Sequence, residues 1–183
     1  MTVEEANNVL READLLIGEA EVAAAIGRMA EELTQRLADA NPVVFCVMNG
    51  GLIFAGQLLT RLVFPLEAAY LHATRYGHET SGGHLNWIVR PQAELRGRTV
   101  LLLDDILDEG VTLAAIADYC RAQGAAEVLM AVLVDKRHER KVSPGFRADV
   151  TGIETEDRFL FGYGLDYKGY WRNAPGIYAV KGV

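Results

Sequence analysis

The stretch Val100–Thr112, VLLLDDILDEGVT, limits what this chain can fold into more than any other. Val100, Leu101, Leu102 and Leu103 form an apolar run of strand length. It stops at two vicinal carboxylates, Asp104 and Asp105, and a second acidic pair follows, Asp108 and Glu109. Gly110 and Thr112 then open a segment with Leu113, Ile116, Ala117 and Cys120 at helical spacing. An apolar strand without polar alternation is buried on both faces. Strand, acidic loop and helix start, in that order, belong to an open α/β sheet, where ligands bind outside the carboxyl ends of the strands.

The rest of the chain repeats the alternation. Residues 1–18 read as a short helix and then a brief strand in ADLLI. From Glu19 to about Ala40, Val22, Ile26, Met29, Leu33 and Leu37 recur at helical spacing, and Asn41-Pro42 ends the helix. VVFCVM (Val43–Met48) is a second buried strand. Asn49-Gly50-Gly51 makes a tight turn into a helix over Leu52–Leu62. Leu66–Thr74 and Trp87–Val89 are strands on either side of Arg75–Asn86, a polar, glycine-rich segment expected to be a mobile loop. Thr99–Leu103 is the central strand, and Gly124 caps the helix that follows it.

Glu127–Val134 is a third buried strand, followed by the charged loop DKRHERK (Asp135–Lys141). Asp149–Ile153, Phe159–Tyr163 and Ile177–Val180 complete the strands. There is no internal repeat and no linker. The fold class is therefore α/β: one domain over residues 1–183, with a core parallel β-sheet flanked by helices through right-handed crossovers.

Bulk properties narrow the function classes. At 183 residues, half of them hydrophobic, the chain can bury a substantial core. A formal net charge of −7 makes nucleic acid an unexpected partner but leaves room for an anionic substrate carried with a divalent cation. Cys46 and Cys120 lie in apolar patterns and read as buried thiols without zinc spacing. The start, MTVEEANNVL, lacks the basic and apolar regions of a signal peptide, and no stretch has the length of a membrane span. A soluble, cytoplasmic protein is expected.

An apolar strand ending in aspartate also fits the Walker B element of a nucleotide hydrolase. That reading requires a G-x-x-x-x-G-K-[ST] loop, which the chain lacks. Gly162-Tyr163-Gly164 fails as a dinucleotide fingerprint at its third glycine. What remains is a glycine and a threonine at a helix N-terminus, an anion site, behind two carboxylates that suit sugar hydroxyls or magnesium. A phosphorylated sugar with its magnesium is the ligand class this combination fits.

The arrangement of hydrophobic run, two acidic residues and D-x-G-x-T resembles the PRPP-binding motif of the type I phosphoribosyltransferases. Three further segments extend the resemblance to the hypoxanthine-guanine branch. VMNGG (Val47–Gly51) is similar to its pyrophosphate loop, and LVDKR (Leu133–Arg137) to the strand end carrying its purine-reading lysine. DRFLFGYGLDY (Asp157–Tyr167) with Arg172 is similar to its purine-stacking and second-magnesium segment. The four motifs occur in the family's order, and the resemblance covers nearly the full chain from Asp14 to Val180. No one of them is specific alone.

The resemblance implies the type I fold, with a small hood built from about residues 1–18 and 155–183. It implies purine salvage: transfer of phosphoribosyl from PRPP to hypoxanthine or guanine, with Mg2+ as cofactor, in a homo-oligomer, dimer or tetramer. Asp104 and Asp105 would hold the ribose hydroxyls, directly or through magnesium. Asp108 would be the general acid/base at purine N7, a role that contributes roughly 10²–10⁴-fold in rate. Glu109, Gly110, Val111 and Thr112 would bind the 5′-phosphate, and Asn49, Gly50, Gly51 and Arg172 the pyrophosphate. Lys136 would donate to the purine 6-oxygen. Phe159 would stack on the base, Leu160 would reach its edge, and Asp166 would take the second magnesium. Arg75 and Tyr76 would begin the loop that closes over the site.

Several positions depart from the family pattern. Asn49 stands where lysine is frequent, which places the pyrophosphate contact on the main chain of Asn49–Gly51. The Met48–Asn49 bond has a cis counterpart in relatives. Arg75 precedes Tyr76 where serine is common. Glu109 and Val111 replace residues that are often polar, which leaves phosphate binding to backbone N–H groups and the Thr112 hydroxyl. The four histidines show no ligand spacing and carry no assigned role. A xanthine- or other-base-preferring enzyme is the nearest alternative. A non-catalytic, PRPP-sensing regulator that binds nucleic acid is the alternative of another class.

Overall fold

The computed structural model describes residues 1–75 and 85–182. Its main sheet has six strands in the order β4-β3-β2-β5-β6-β7: Leu85–Val89, Glu67–Arg75, Val43–Val47, Thr99–Leu107, Glu127–Lys136 and Val150–Thr155. The five strands β3, β2, β5, β6 and β7 run parallel, and β4 joins β3 antiparallel, so the sheet is mixed at one edge rather than wholly parallel. β2 and β5 are neighbours, yet the chain leaves them in opposite directions, β2 towards β3 and β5 towards β6. That is the topological switch point, and the crevice at its carboxyl ends is where an open α/β sheet accepts ligands.

The period of two along β5 explains how one strand feeds two cores. Leu101 and Leu103 pack on one face with Ile26, Met29, Phe54 and Leu58 of the helices α2 (Glu19–Leu37) and α3 (Gly51–Leu59). Val100 and Leu102 pack on the other with Ile116 and Cys120 of α4 (Val111–Ala122). Both cysteines are buried, and burial raises each thiol to about 11. A second sheet, β1-β9-β8, is antiparallel and joins Asp14–Ile17, Ile177–Ala179 and Leu160–Phe161. It brings the two chain ends together. The N-terminal helix α1 (Val3–Glu12) docks there as well, with the Trp171 indole N–H donating to Ala6 O at 2.7 Å. Among the described residues no helix is long and apolar enough to cross a membrane.

Several boundaries differ from the sequence reading: α3 ends at Leu59 rather than Leu62, β4 starts at Leu85 within the segment expected as loop, and three further shifts bear on the site. β5 continues to Leu107, so Asp104 and Asp105 are strand residues rather than loop residues. β6 likewise continues to Lys136. The reason is mutual pairing: β5 and β6 stay in register as far as Leu107 and Asp135, which satisfies backbone groups that a loop would leave to water. Conversely, the strand expected over Phe159–Tyr163 shrinks to Leu160–Phe161, because Gly162 and Tyr163 turn to positive φ. The expected mobile loop lies largely outside the described residues. Arg75 ends β3, and Tyr76 falls beyond it.

The loop between β5 and α4 is held from behind. Lys141 Nζ donates to Leu107 O and Asp108 O, each at 2.8 Å, and to Asp135 Oδ1 at 2.7 Å. All three ammonium hydrogens are used, and the side chain is only 12% exposed. Val142 N donates to Glu109 O at 2.7 Å. Phe146 lies against Gly110, where an added Cβ would come within 2.7 Å of its ring. Lys141→Met should therefore leave two carbonyls and a carboxylate without their donor. It should lower unfolding stability by about 1–3 kcal/mol, read as a fall in the urea midpoint at constant m value; an unchanged midpoint would remove Lys141 as the brace.

Candidate active site

Two adjoining cavities open at the carboxyl ends of β5 and β6. The larger, about 420 Å³, lies over Asp104, Asp105 and Asp108 and reaches Val111 and Thr112 at the start of α4. Gly110 precedes that helix at φ 80°, a left-handed conformation suited to glycine. The first N–H groups of a helix have no intrahelical acceptor, so α4 presents donors and its positive dipole end to this cavity. The Glu109 side chain is exposed to solvent. Met48 lines the opposite wall, and its peptide bond to Asn49 is cis.

The turn after β2 is pressed against the acidic pair. A Cβ on Gly50 would fall on the Asp105 carboxylate, and one on Gly51 would sit 2.6 Å from Leu103 O. A Cβ on Gly164 would collide with Gly50 O. These glycines permit β2, β5 and the segment after β8 to meet at backbone distance. Arg172 locks the same corner: Nη1 donates to Gly164 O at 2.6 Å, and Nη2 lies 2.5 Å from Asp166 Oδ1. Its guanidinium also lies 3.9 Å from Asp105 Oδ2. The other Asp166 oxygen accepts from Gly169 N at 2.6 Å.

Burial pushes the Asp104 carboxyl well above the usual carboxylate range, and its neighbour Asp105 pushes it further. Burial also raises Asp105, although the hydrogen bond with Asp104 and the Arg172 charge work against the rise. Two adjacent carboxylates are thus held in a place that disfavours their negative charge. A hard divalent cation with oxygen ligands relieves that penalty, so the donor set fits magnesium.

The smaller cavity, about 170 Å³, shares Asp105, Ile106 and Asp108 with the first. Lys136, Phe159, Leu160, Leu165 and Asp166 complete it. Phe159 is half-exposed, with its ring 5.7 Å from that of Tyr167 in an edge-on arrangement. The Lys136 side chain is 9% exposed, with Nζ 3.0 Å from Asp108 Oδ2 and 3.3 Å from Asp157 Oδ1. Arg140 grips Asp157 with both terminal nitrogens, at 2.6 and 3.0 Å. That contact, with help from Lys136, holds the Asp157 carboxyl far below the usual range.

His138 Nε2 lies 2.7 Å from Asp108 Oδ1. Partial burial works to raise the Asp108 carboxyl, but the hydrogen bonds with Lys136 and His138 outweigh it and the net shift is downward. Asp108 is therefore ionised at neutral pH. Asp108, His138 and Asp157 have a spacing that could hold a metal ion. The Lys136 ammonium already supplies the positive charge at that point, which argues against one.

The sequence expectations gather here except for Arg75, which ends β3 and lines neither cavity, and Tyr76. Asp104, Asp105, Asp108, Gly110, Val111 and Thr112 line the larger cavity with Glu109 at its edge. Lys136, Phe159, Leu160 and Asp166 line the smaller one, and Arg172 and the turn Asn49–Gly51 close the corner between them. Tyr76 falls outside the described residues. Four residues were not expected: His138, Arg140, Lys141 and Asp157. No local signal finds them. Lys136, His138 and Arg140 are two apart, but β6 ends at Lys136 and the chain bends at His138 and Glu139, so no strand period carries through. The run of charges there reads as a solvated loop.

Residues 17–168 match the model of the phosphoribosyl transferase domain family. The chain is 33% identical over 168 residues to the hypoxanthine-guanine phosphoribosyltransferase of Bacillus subtilis strain 168, an alignment covering 91% of this chain and 92% of that enzyme. It is 33% identical over 156 residues to the hypoxanthine-guanine-xanthine phosphoribosyltransferase of Tritrichomonas foetus, with 85% of each chain covered. The fold superposes on a crystal structure of a Staphylococcus aureus hypoxanthine phosphoribosyltransferase with a TM-score of 0.87, over 94% of both chains at 23% identity. The chain thus belongs to the phosphoribosyl transferase domain family, in its hypoxanthine-guanine phosphoribosyltransferase branch.

Proposed function

We propose that this phosphoribosyltransferase joins PRPP to a 6-oxopurine, hypoxanthine or guanine, with magnesium, and that Asp108 handles the purine proton. The observation that carries the reading is the meeting of two cavities at Asp108. One has a helix N-terminus and an acidic pair, suited to a sugar phosphate. The other has an aromatic ring and a buried lysine, suited to a flat base with a carbonyl.

In this reading the N–H groups at the start of α4 and the Thr112 hydroxyl take the 5′-phosphate. Asp104 and Asp105 face the ribose hydroxyls and would hold magnesium, and Asp166 would take a second magnesium. When bound, the cation neutralises charge on the departing pyrophosphate. Arg172, already aimed across the corner, and the main chain of Asn49–Gly51 receive the same group. Purine N9 forms the bond to C1′ as the bond from C1′ to the pyrophosphate oxygen breaks. Positive charge develops on the ribose, and the nearby carboxylates stabilise it. The proton on purine N7 passes to Asp108.

Base selection falls to Lys136. Its ammonium exchanges Asp108 for the purine 6-oxygen, while Asp157 keeps it in place. An adenine amino group offers no acceptor there, so the lysine would lose its partner in a buried site. Phe159 supplies the stacking face. Related enzymes named for hypoxanthine, guanine and, in one case, xanthine leave the same cavity open to xanthine.

The test is a PRPP-dependent assay of nucleotide and pyrophosphate with hypoxanthine, guanine, xanthine and adenine. Turnover with the first two, lost on chelation and restored by magnesium, is expected. No turnover with any base would overturn the reading. Asp108→Asn should cut kcat by about 10²-fold or more with little change in PRPP affinity; full activity would remove the acid/base role. Lys136→Ala should lower kcat/KM for hypoxanthine by roughly ten- to hundredfold and leave the small adenine rate in place. An unchanged hypoxanthine-to-adenine ratio would take Lys136 out of base recognition.

A further inference from the structure

We infer that His138 is a positioning residue for Asp108: it holds one carboxylate oxygen so that the other faces the purine. The inference rests on Asp108 as the group that takes the purine proton. The two oxygens of Asp108 have different partners. Oδ2 accepts from Lys136 Nζ at 3.0 Å, and Oδ1 lies 2.7 Å from His138 Nε2. The lysine has a second use, since the purine 6-oxygen needs its donor. The histidine has none, because its side chain is 4% exposed and both ring nitrogens are engaged, by Asp108 and by the Arg140 N–H.

The tautomer follows from a hydrogen bond on the far side of the ring. The backbone N–H of Arg140 donates to His138 Nδ1 at 3.0 Å. A nitrogen that accepts a hydrogen bond carries no proton, so the proton of the neutral ring is on Nε2 and is donated to Asp108. A fixed tautomer fixes the donor. Arg140 is itself anchored through Asp157, which places the acceptor side of the ring in a rigid frame.

The consequence appears when Lys136 leaves Asp108 for the base. A carboxylate free to rotate about χ1 and χ2 would then turn towards water. Donation from His138 to Oδ1 prevents the rotation and keeps Oδ2 directed into the base cavity. A neutral donor does this at smaller cost to the basicity of Asp108 than a second cation would. Lys141 secures the main chain of the same residue, and His138 secures its side chain.

The experiment compares His138→Ala and His138→Gln in the full-length protein, each with and without Asp108→Asn. H138A should lower kcat by about tenfold or more, with KM for PRPP and thermal stability nearly unchanged. H138Q carries an amide N–H in the place of Nε2–H and should recover most of the loss. On top of D108N, H138A should have no further effect. In ¹⁵N spectra of the unmodified protein, His138 should show an unprotonated Nδ1 and a protonated Nε2.

An H138A variant with full kcat, an equal loss with and without D108N, or a proton on Nδ1 would overturn the inference while leaving Asp108 as the base. Full activity of D108N itself would instead overturn the reading of Asp108, and the role of His138 with it.

Discussion

The site depends on one ion pair, between the ammonium of Lys136 and the carboxylate of Asp108. It joins the ends of the neighbouring strands β5 and β6, and it is almost dry on the lysine side. Taking an ammonium out of water costs several kcal/mol unless partners replace the lost solvent. Asp108 and Asp157 are those partners, and Arg140 completes the network by holding Asp157. Alternating charges let a cation stay buried without fixing it to a single acceptor. That is the property a base-reading lysine requires, because it must exchange one acceptor for another when ligand arrives.

The same economy of space governs the other half. Parallel strands β2 and β5 bring the turn Gly50-Gly51 onto the acidic pair at the switch point of the sheet. Three glycines let three backbones converge there, and any side chain on Gly50 would displace the Asp105 carboxylate. The corner is therefore lined by main-chain groups, carboxylates and a single guanidinium. Such a lining suits an anion that arrives with its own cation.

Much of this was legible in the sequence because it is written in periods. The unbroken apolar run Val100–Leu103 gave a strand buried on both faces, and the spacing of Leu113, Ile116 and Cys120 gave the helix behind it. Glycine and carboxylate positions then picked out residues that the fold brings to one crevice. Strand ends were harder to place. Asp104, Asp105 and Lys136 are polar, and polarity alone ends a strand on paper, whereas pairing between β5 and β6 carries the strands past them. The segment DKRHERK misled for a related reason. Its charges look solvated until long-range partners are known: Asp108 for His138, Leu107 O for Lys141 and Asp157 for Arg140. Each of those contacts spans about 17 or more positions in sequence, and no local pattern encodes it.

In the proposed reaction Lys136 is a donor that changes partner, with Asp108 kept in place as it leaves. A crystal structure with a bound 6-oxopurine nucleotide tests this most directly. Lys136 Nζ should lie within hydrogen-bond distance of the 6-oxygen and beyond that distance from Asp108. Asp108 Oδ2 should face N7, with Oδ1 still on His138. A nucleotide bound with Lys136 unmoved on Asp108, or with its base outside the cavity of Lys136 and Phe159, would contradict the account.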